Sequence, residues 1–326
     1  MTSTAPVPGA RIEVHGLTKR FGSFVAVDDL SFDVEPGRIT GFLGPNGAGK
    51  TTTLRMLLGL VHSSGGSATI DGRRYVDLAN PLGTVGAALE ATNFHPGRSG
   101  RDHLRVLADA GSVPLRRVDE LLELTGIPAA ARKRAGEYSM GMRQRLGLAG
   151  ALLGDPKVLV LDEPANGLDP EGIRWLRGFL RHLSGEGKTI LISSHLLQEV
   201  AQTVDDVVII ANGKLVRSGP INEMHGTPGA VVSTSEPERL AGALRVADVT
   251  STLGEDGTLV ADTTDLRLVG DVALRAGLPI YGLAPRKADL EALFFELTAG
   301  TNRNETSSDG APRERDAVTG EEGANR

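Results

Sequence analysis

A glycine-rich segment at residues 44–51 constrains the fold of this chain more than any other feature. It matches the pattern G-x-x-x-x-G-K-[ST] without a mismatch, and it lies between a short apolar run at 38–43 and a helical pattern that begins at Lys50. Glycines let a backbone curl around phosphate oxygens, and the helix that follows presents its positive end to them. The segment therefore predicts a strand, a loop and a helix that bind a nucleoside triphosphate.

The positions of this loop have different expected roles. Lys50 places a positive charge at the β and γ phosphates, and Thr51 supplies a hydroxyl group to Mg²⁺. The residues that we expect to contact the nucleotide in this segment are Gly44, Pro45, Asn46, Gly47, Ala48, Gly49, Lys50, Thr51 and Thr52.

A second motif joins an aliphatic run to two carboxylates. Residues 158–161 are all aliphatic, and Asp162 and Glu163 follow them. A buried parallel strand carries such residues to its carboxyl end, where ligands lie in open sheets of this type. We expect Asp162 to hold Mg²⁺ and Glu163 to orient or deprotonate the attacking water. The pattern alone also fits a strand end that meets solvent, and the phosphate loop upstream favours the functional interpretation.

The order of strand and helix patterns predicts an α/β fold of the P-loop NTPase type. Strand patterns alternate with helical ones after residue 158, which indicates a largely parallel sheet with helices packed on it. A mainly helical block at about 91–154 is an insertion into that plan. Beyond residue 220 the order becomes strand, helix, strand, strand, helix, strand, which is typical of a small α+β unit of the ferredoxin-like kind.

Composition excludes several kinds of protein. The chain has 326 residues and no cysteine, so it has no disulfide scaffold, thiol nucleophile or Cys-ligated zinc. Its net charge of −6 argues against nucleic acid as a partner, because nucleic-acid binding favours a basic face. The aliphatic stretches are of strand length, well short of the roughly 20 apolar residues that a membrane-spanning helix needs. We therefore expect a soluble protein without a secretory signal.

Together these motifs resemble the ATP-binding subunits of ABC transporters, over about residues 12–219. The most diagnostic segment is Tyr-Ser-Met-Gly-Met-Arg-Gln-Arg-Leu at 138–146, which is similar to the family's signature of Leu-Ser-Gly-Gly-Gln type. In that family the signature of one subunit closes over ATP that the other subunit's phosphate loop holds. The resemblance thus implies a homodimer in which Ser139 and Gly141 contact the γ-phosphate. Met140 and Met142 depart from the family's Gly and Gln, and Ser139 also fits the N-cap of a helix.

Three further positions resemble functional residues of the family. Asp169, in the segment 166–169, matches the loop that follows the catalytic Glu and crosses the subunit interface. His195 matches the switch histidine that touches the γ-phosphate, and it follows a predicted strand. Phe21 lies where the family has an aromatic residue that stacks on adenine, although an aromatic residue beside a strand is also commonly part of a core.

Glu90 stands where the family usually has a Gln that contacts Mg²⁺ and the membrane partner. A carboxylate can also bind Mg²⁺, but it adds negative charge beside the γ-phosphate. Glu at this position, and the run Leu-Glu-Ala-Leu-Phe-Phe-Glu-Leu-Thr at 290–298, resemble an export branch linked to drug and antibiotic efflux, of the daunorubicin-resistance type.

The resemblance implies an ATPase subunit, with ATP and Mg²⁺ as ligands, that powers an exporter through a separate transmembrane permease. It would lie on the cytoplasmic face of the membrane and contact the membrane through that permease. A soluble ABC-type ATPase that acts on ribosomes or DNA repair complexes is the alternative, and a protein that sequesters or senses a drug is another. One phosphate loop, and no sustained heptads or basic stripe, favour the transport function.

We divide the chain by these patterns into four parts. The C-terminal unit could brace a dimer, regulate it or confer specificity, and bracing is favoured because the unit shows no catalytic grouping. The tail lacks aromatic residues and is too polar to order itself. The expected parts are a disordered N-terminus at 1–10, an ABC ATPase domain at 11–220 that contains the helical subdomain at about 91–154, a C-terminal α+β accessory domain at 221–300 and a disordered tail at 301–326.

Overall fold

A computed structural model describes residues 9–89, 94–196, 200–224, 229–254 and 257–286 of the chain. The strands are β1 (Ile12–Phe21), β2 (Phe24–Val34), β3 (Ile39–Leu43), β4 (Gly65–Ile70), β5 (Val85–Ala88), β6 (Val158–Leu161), β7 (Thr189–Ser194), β8 (Asp206–Ala211), β9 (Lys214–Pro220), β10 (Gly229–Ser233), β11 (Ser251–Leu253), β12 (Leu259–Ala261) and β13 (Gly282–Arg286). The helices are α1 (Lys50–Leu57), α2 (Pro81–Thr84), α3 (Gly100–Ala110), α4 (Arg116–Leu124), α5 (Met140–Ala151), α6 (Pro170–Gly185), α7 (Pro237–Val246) and α8 (Leu266–Arg275).

A six-stranded sheet forms the centre of the larger part of the molecule. Its strand order is β5-β6-β7-β3-β8-β9, with the first five strands parallel and β9 antiparallel to β8. Every residue of β3, β6 and β7 is buried, as expected for strands that are covered on both faces. The predicted parallel sheet is confirmed, and β3, which leads into the phosphate loop, lies inside it.

A second sheet, of antiparallel strands in the order β2-β1-β4, was not predicted as a separate layer. The apolar patterns at 24–27 and 30–34 form one strand, β2, which passes through Asp29 at a positive φ of 52°. Helix α1 ends at Leu57, and two glycines, a residue type that usually marks turns, begin β4. This sheet packs its apolar residues against the central one, as the shared cluster that includes Ile12, Leu30 and Phe42 shows.

Helices α3, α4 and α5 lie between β5 and β6, which confirms the inserted helical block. Each of α3 and α4 buries one stripe of residues, and α5 buries Leu146, Leu148 and Ala149. Ser139 precedes α5 as its N-cap, so the signature segment starts this helix.

The C-terminal unit has its own four-stranded antiparallel sheet in the order β11-β12-β10-β13. With α7 and α8 between the strands, this is the predicted ferredoxin-like arrangement. Its core, which includes Leu240, Leu244 and Val269, is separate from the clusters of the larger part. The run at 290–298, the tail at 301–326 and residues 1–8 lie outside the described residues.

Within the described ranges, none of the helices combines the length and apolar character needed to cross a bilayer.

Candidate functional site

Three neighbouring strands bring the predicted catalytic residues to one edge of the central sheet. The pairs Leu43↔Ser194 and Leu161↔Ile192 align the carboxyl ends of β3, β6 and β7. Because the strands are parallel, the phosphate loop after β3, Asp162 and Glu163 after β6, and His195 after β7 all emerge at this edge. In the sheet β7 lies between β6 and β3, although α6 separates β7 from β6 along the chain.

The phosphate loop adopts a backbone shape that requires glycine at two positions. Gly47 and Gly49 have φ values of 82° and 104°, in the left-handed region that side chains other than glycine rarely adopt. A Cβ atom at Gly49 would also lie 2.6 Å from the carbonyl oxygen of Ala26 on β2. The amide of Ala48 donates to the Pro45 carbonyl at 3.1 Å, which closes the loop over the start of α1. The loop backbone thus has the curled shape that can surround phosphate oxygens.

Lys50 is almost completely buried beneath this loop, with 6% of its surface exposed. Its ammonium group donates to the carbonyl oxygens of Gly44 and Pro45 at 2.6 and 3.3 Å. It also lies 3.4 Å from a carboxylate oxygen of Glu163. The charge is therefore fixed at the mouth of the loop, where β and γ phosphates lie in sites of this type.

Thr51 and Asp162 present oxygen atoms side by side. Thr51 Oγ1 donates a hydrogen bond to Asp162 Oδ2 at 2.7 Å, although the two residues are 111 positions apart in the chain. Mg²⁺ prefers oxygen ligands and is usually held by one or two protein groups together with substrate phosphates and water. This pair of hard oxygens at the phosphate loop fits that ion.

Glu163 is held in an unusual conformation between two basic groups. Its φ is 49°, a left-handed value that costs a residue with a side chain on the order of 1–3 kcal/mol. One carboxylate oxygen faces Lys50, and the other lies 2.9 Å from His195 Nδ1. The structure therefore places the predicted base and the predicted switch histidine in direct contact.

Ser193 belongs to this site and was not singled out from the sequence. Its hydroxyl group donates a hydrogen bond to Asp162 Oδ1 and accepts one from the backbone N–H of Glu163 at 2.9 Å. The only signal in the sequence was a polar residue at the end of an otherwise aliphatic strand, next to Ser194 and His195.

Phe21 lies at the tip of the β1–β2 hairpin, opposite Phe24, and 52% of its surface is exposed. The ammonium group of Lys19 lies 4.8 Å from the centre of its ring and also donates to the carbonyl oxygen of His62 at 2.7 Å. Farther along β2, Ala26 approaches Gly49 of the phosphate loop. The ring is therefore a surface feature on an element that contacts the loop, and the alternative that Phe21 is a core residue is wrong.

The signature residues lie on a different surface. Ser139 caps α5 by accepting from the Met142 amide at 3.3 Å, and Asp169 caps α6 by accepting from the Gly172 amide at 2.8 Å. Ser139, Gly141 and Asp169 line one groove between these two helix starts. The Met140 side chain packs over Gly167, where an added Cβ atom would lie 2.8 Å from Met140 Cγ. The structure thus brings together Ser139, Gly141 and Asp169, which the sequence assigned to the subunit interface.

Arg145 also lines this groove and contacts Trp175 on the opposite helix. Its guanidinium group lies 3.8 Å from the centre of the Trp175 ring on α6 and donates to the Thr125 carbonyl at 3.0 Å. Burial lowers the pKa of Arg145, and the carboxylates of Glu171 and Asp169 oppose that shift. Arginine nevertheless remains charged at neutral pH. The contact therefore ties α5 to α6 beneath the two caps.

Among the described residues, no hydrogen bond or ion pair joins the Ser139 and Asp169 side chains to those of Lys50, Asp162 and Glu163. The predicted site thus consists of two clusters of side chains. We call the cluster at the edge of the sheet the phosphate group; its members are Lys50, Thr51, Asp162, Glu163 and His195. We call the cluster at the starts of α5 and α6 the signature group; its members are Ser139, Gly141 and Asp169. Glu90, the third predicted metal ligand, lies outside the described residues.

Comparison with protein families gives two matches along the chain. The ABC transporter family matches residues 27–166, which contain the phosphate loop, Asp162 and the signature segment. A domain family of unknown function matches residues 228–291, which contain the C-terminal sheet.

Curated proteins of known sequence extend the match over most of the chain. An uncharacterized ABC transporter ATP-binding protein of Bacillus subtilis is 36% identical over 89% of this chain and 96% of its own length. A bacitracin transport ATP-binding protein of Bacillus licheniformis is 43% identical over 65% of this chain and 71% of its own length. Nod factor export ATP-binding protein I of Burkholderia lata is 36% identical over 90% of this chain and 98% of its own length.

Solved structures share the fold of the larger part. An ATP-binding subunit of an ABC transporter superposes with a TM-score of 0.59 at 27% identity, over 65% of this chain and 91% of that one. A dimeric bacterial ABC transporter cassette has the same TM-score at 20% identity, over 64% of this chain and 98% of that one, which is a likeness of fold.

Proposed function

The chain belongs to the ATP-binding proteins of ABC transporters, and from that premise we propose that it hydrolyses ATP to power an exporter of a drug, antibiotic or lipid-like molecule. The observation that carries the proposal is the convergence of Lys50 after β3, Asp162 and Glu163 after β6, and His195 after β7, at the ends of three adjacent strands. Relatives named for bacitracin transport and Nod factor export support an exporter, and the soluble alternative has no such support.

The residues of the phosphate group divide the chemistry among them. The loop amides and Lys50 bind and orient the β and γ phosphates. Thr51 and Asp162 would hold Mg²⁺, which neutralises charge on the phosphates when it is bound. Glu163 accepts a proton from the attacking water or orients that water, and His195 contacts the γ-phosphate.

In the proposed mechanism, Glu163 and the γ-phosphate have two partners in common, Lys50 and His195. Its carboxylate contacts both Lys50, at 3.4 Å, and His195, at 2.9 Å. An arriving γ-phosphate competes for the same two groups, because it is also an anion with several acceptor oxygens. Lys50 and His195 thus lie where both the carboxylate of Glu163 and a bound γ-phosphate would contact them.

A second copy of the chain would complete each site. The signature group presents the starts of two helices, where N–H groups and Ser139 suit a phosphate anion, and in the described part of the chain no hydrogen bond or ion pair of Ser139 or Asp169 reaches Lys50, Asp162 or Glu163. We infer that two copies bind face to face with two ATP molecules between them. A separate transmembrane permease would then carry the motion across the membrane, with this subunit on the cytoplasmic face.

Replacing Glu163 tests the hydrolytic mechanism. Glu163→Gln keeps the size of the side chain but removes the base, so turnover should fall by about 10²–10⁴-fold while ATP binding persists. The measurements are phosphate release and nucleotide binding on the purified chain. Glu186→Gln is the matched control, because Glu186 also pairs with a histidine, His182, at 3.5 Å but on the surface of α6. Turnover close to wild type in Glu163→Gln would remove Glu163 from this role.

Recovery of the native complex tests the transport function. The tagged chain, isolated from membranes of its own host, should bring a transmembrane protein with it in the presence of ATP. Recovery with ribosomes or DNA repair proteins instead would favour the soluble alternative.

We also propose that residues 221–300 form an accessory domain that braces the dimer. The separate core of the C-terminal sheet, built from residues between 230 and 283, supports an independent unit within this range. Met224 is 2% exposed and packs in the core of the larger part, so a truncated chain should end after this residue. The truncated chain should bind ATP normally and dimerise more weakly in sedimentation velocity. Unchanged dimerisation would contradict bracing.

A further inference from the structure

Ser193 occupies a position between the two carboxylate residues of the phosphate group. It lies on β7 with no exposed surface, and the pairing of Leu161 with Ile192 sets it beside Asp162. Its hydroxyl group donates to Asp162 Oδ1 and accepts the N–H of Glu163 at 2.9 Å. A hydroxyl has one donor hydrogen and can accept at the same time, so a single group satisfies both neighbours.

The first of these bonds fixes the direction of the Asp162 carboxylate. Thr51 binds Oδ2 at 2.7 Å from one side, and Ser193 binds Oδ1 from the other. A carboxylate with both oxygens bonded cannot turn without breaking a charge-assisted hydrogen bond. Oδ2 of Asp162, the oxygen that would contact Mg²⁺, therefore stays beside the phosphate loop.

The second bond supports the backbone of Glu163. Its φ of 49° persists only where surrounding contacts define it, because the extended and right-handed regions are lower in energy for this residue type. The amide of Glu163 is bonded to the Ser193 hydroxyl, and its carbonyl accepts from the Asn166 amide at 3.1 Å. The conformation that aims Glu163 at Lys50 and His195 is thus anchored through Ser193.

We propose that Ser193 is a positioning residue that sets the Mg²⁺ ligand Asp162 and the base Glu163 in one register for hydrolysis. The proposal rests on the proposed function of this site. Ser193 contacts no reacting atom and acts only through its two neighbours. Ser194, the next residue, differs in that its hydroxyl, as far as the described residues go, bonds only the backbone of Leu196, at 3.0 and 3.2 Å.

Ser193→Ala tests the proposal, with Thr40→Val as the matched control. Thr40 is also fully buried, on the adjacent strand β3, but its hydroxyl group has no hydrogen-bond partner among the residues that the structure describes, so its removal should change neither readout. In Ser193→Ala, kcat at saturating ATP and Mg²⁺ should fall by about tenfold or more, the loss expected for one hydrogen bond to a charged group. KM for ATP should change by less than about twofold, because the loop and Lys50 remain.

A second readout does not depend on activity. Hydrogen exchange at the Glu163 amide, followed by NMR or mass spectrometry without nucleotide, should accelerate in Ser193→Ala and stay slow in Thr40→Val. Binding of Mn²⁺ with a non-hydrolysable ATP analogue should weaken in the same variant, since Asp162 is no longer fixed. A purely structural role would lower the melting temperature without a selective change at this amide.

Ser193→Cys keeps the test decisive if the alanine variant fails to fold. A thiol is a weak donor and acceptor, so kcat and amide exchange should fall between wild type and alanine. Wild-type kcat or unchanged exchange at Glu163 in a folded Ser193 variant overturns the proposal. If wild type itself does not hydrolyse ATP and Glu163→Gln changes nothing, the proposed function fails, while the exchange readout still decides whether Ser193 holds Glu163.

Discussion

The phosphate group and the signature group differ in how their side chains are held. Lys50 and Asp162 have exposed fractions of only 6% and 9%, and their charged atoms bond to other members of the group. Ser139 and Asp169 are exposed, and within the described ranges their side chains bond only the amides at the start of their own helices. The contacts that organise the first group therefore lie within one chain. The second group is exposed, and in the proposed function it acts on a nucleotide that another copy of the chain holds.

A short segment connects these two differently built regions. Residues 163–169 lead from the base to the cap of α6, and the Asn166 amide donates to the Glu163 carbonyl at 3.1 Å. The Asn166 carbonyl accepts from Gln144 of α5 at 3.4 Å, and Met140 packs over Gly167. The backbone of Glu163 is therefore linked to the signature helix of the same chain through a chain of direct contacts.

The largest effect on phosphate release should come from substitutions that disable one group in one chain and the other group in a second chain. Lys50→Ala and Ser139→Ala should each have little activity alone, because every site in a homodimer then lacks one half. An equal mixture should regain about a quarter of wild-type phosphate release, since half of the dimers contain one intact site if pairing is random and sites act independently. Phosphate release from the mixture, compared with the two variants measured separately, checks this.

Two controls define what the regain means. A chain carrying both substitutions, mixed with wild type, forms dimers in which each site lacks one half, so the mixed dimers should add no activity. Ser99→Ala removes the N-cap of α3, which accepts from the Asp102 amide at 3.1 Å, and matches the loss of a cap of about 1 kcal/mol without touching the signature group. If the mixture is no more active than its components, a site does not combine the phosphate group of one chain with the signature group of the other.

The sequence predicted the phosphate group better than the contacts inside it. The loop at 44–51 and the run into Asp162 and Glu163 are local patterns, and parallel strands bring such patterns to one edge of a sheet. Ser193 was not predicted as a site residue because its role depends on the register of β7 beside β6. Its partners lie 31 and 30 residues away in the chain. A local pattern does not encode that register.

The signature group and the β2-β1-β4 sheet illustrate the same limit. The caps at Ser139 and Asp169 follow from residue type, and both were within reach of sequence patterns. The packing of Met140 on Gly167 depends on how α5 meets the loop before α6. Strand β4 begins with Gly65 and Gly66, residues that usually mark turns, and it forms because β1 offers an edge to pair with.

Phe21 combines features of both groups and should give the smallest effect. It lies on an element that contacts the phosphate loop, yet half of its ring is exposed, and Lys19 covers part of it. If adenine stacks on the ring, Phe21→Leu should weaken ATP binding by about 2- to 12-fold, since a stacked aromatic pair contributes about 0.5–1.5 kcal/mol. Phe21→Trp should retain binding, and turnover at saturating ATP should not change in either variant. Titration with a fluorescent ATP analogue measures the affinity, and equal affinities for the Leu and Trp variants would mean that adenine does not stack on the ring of Phe21.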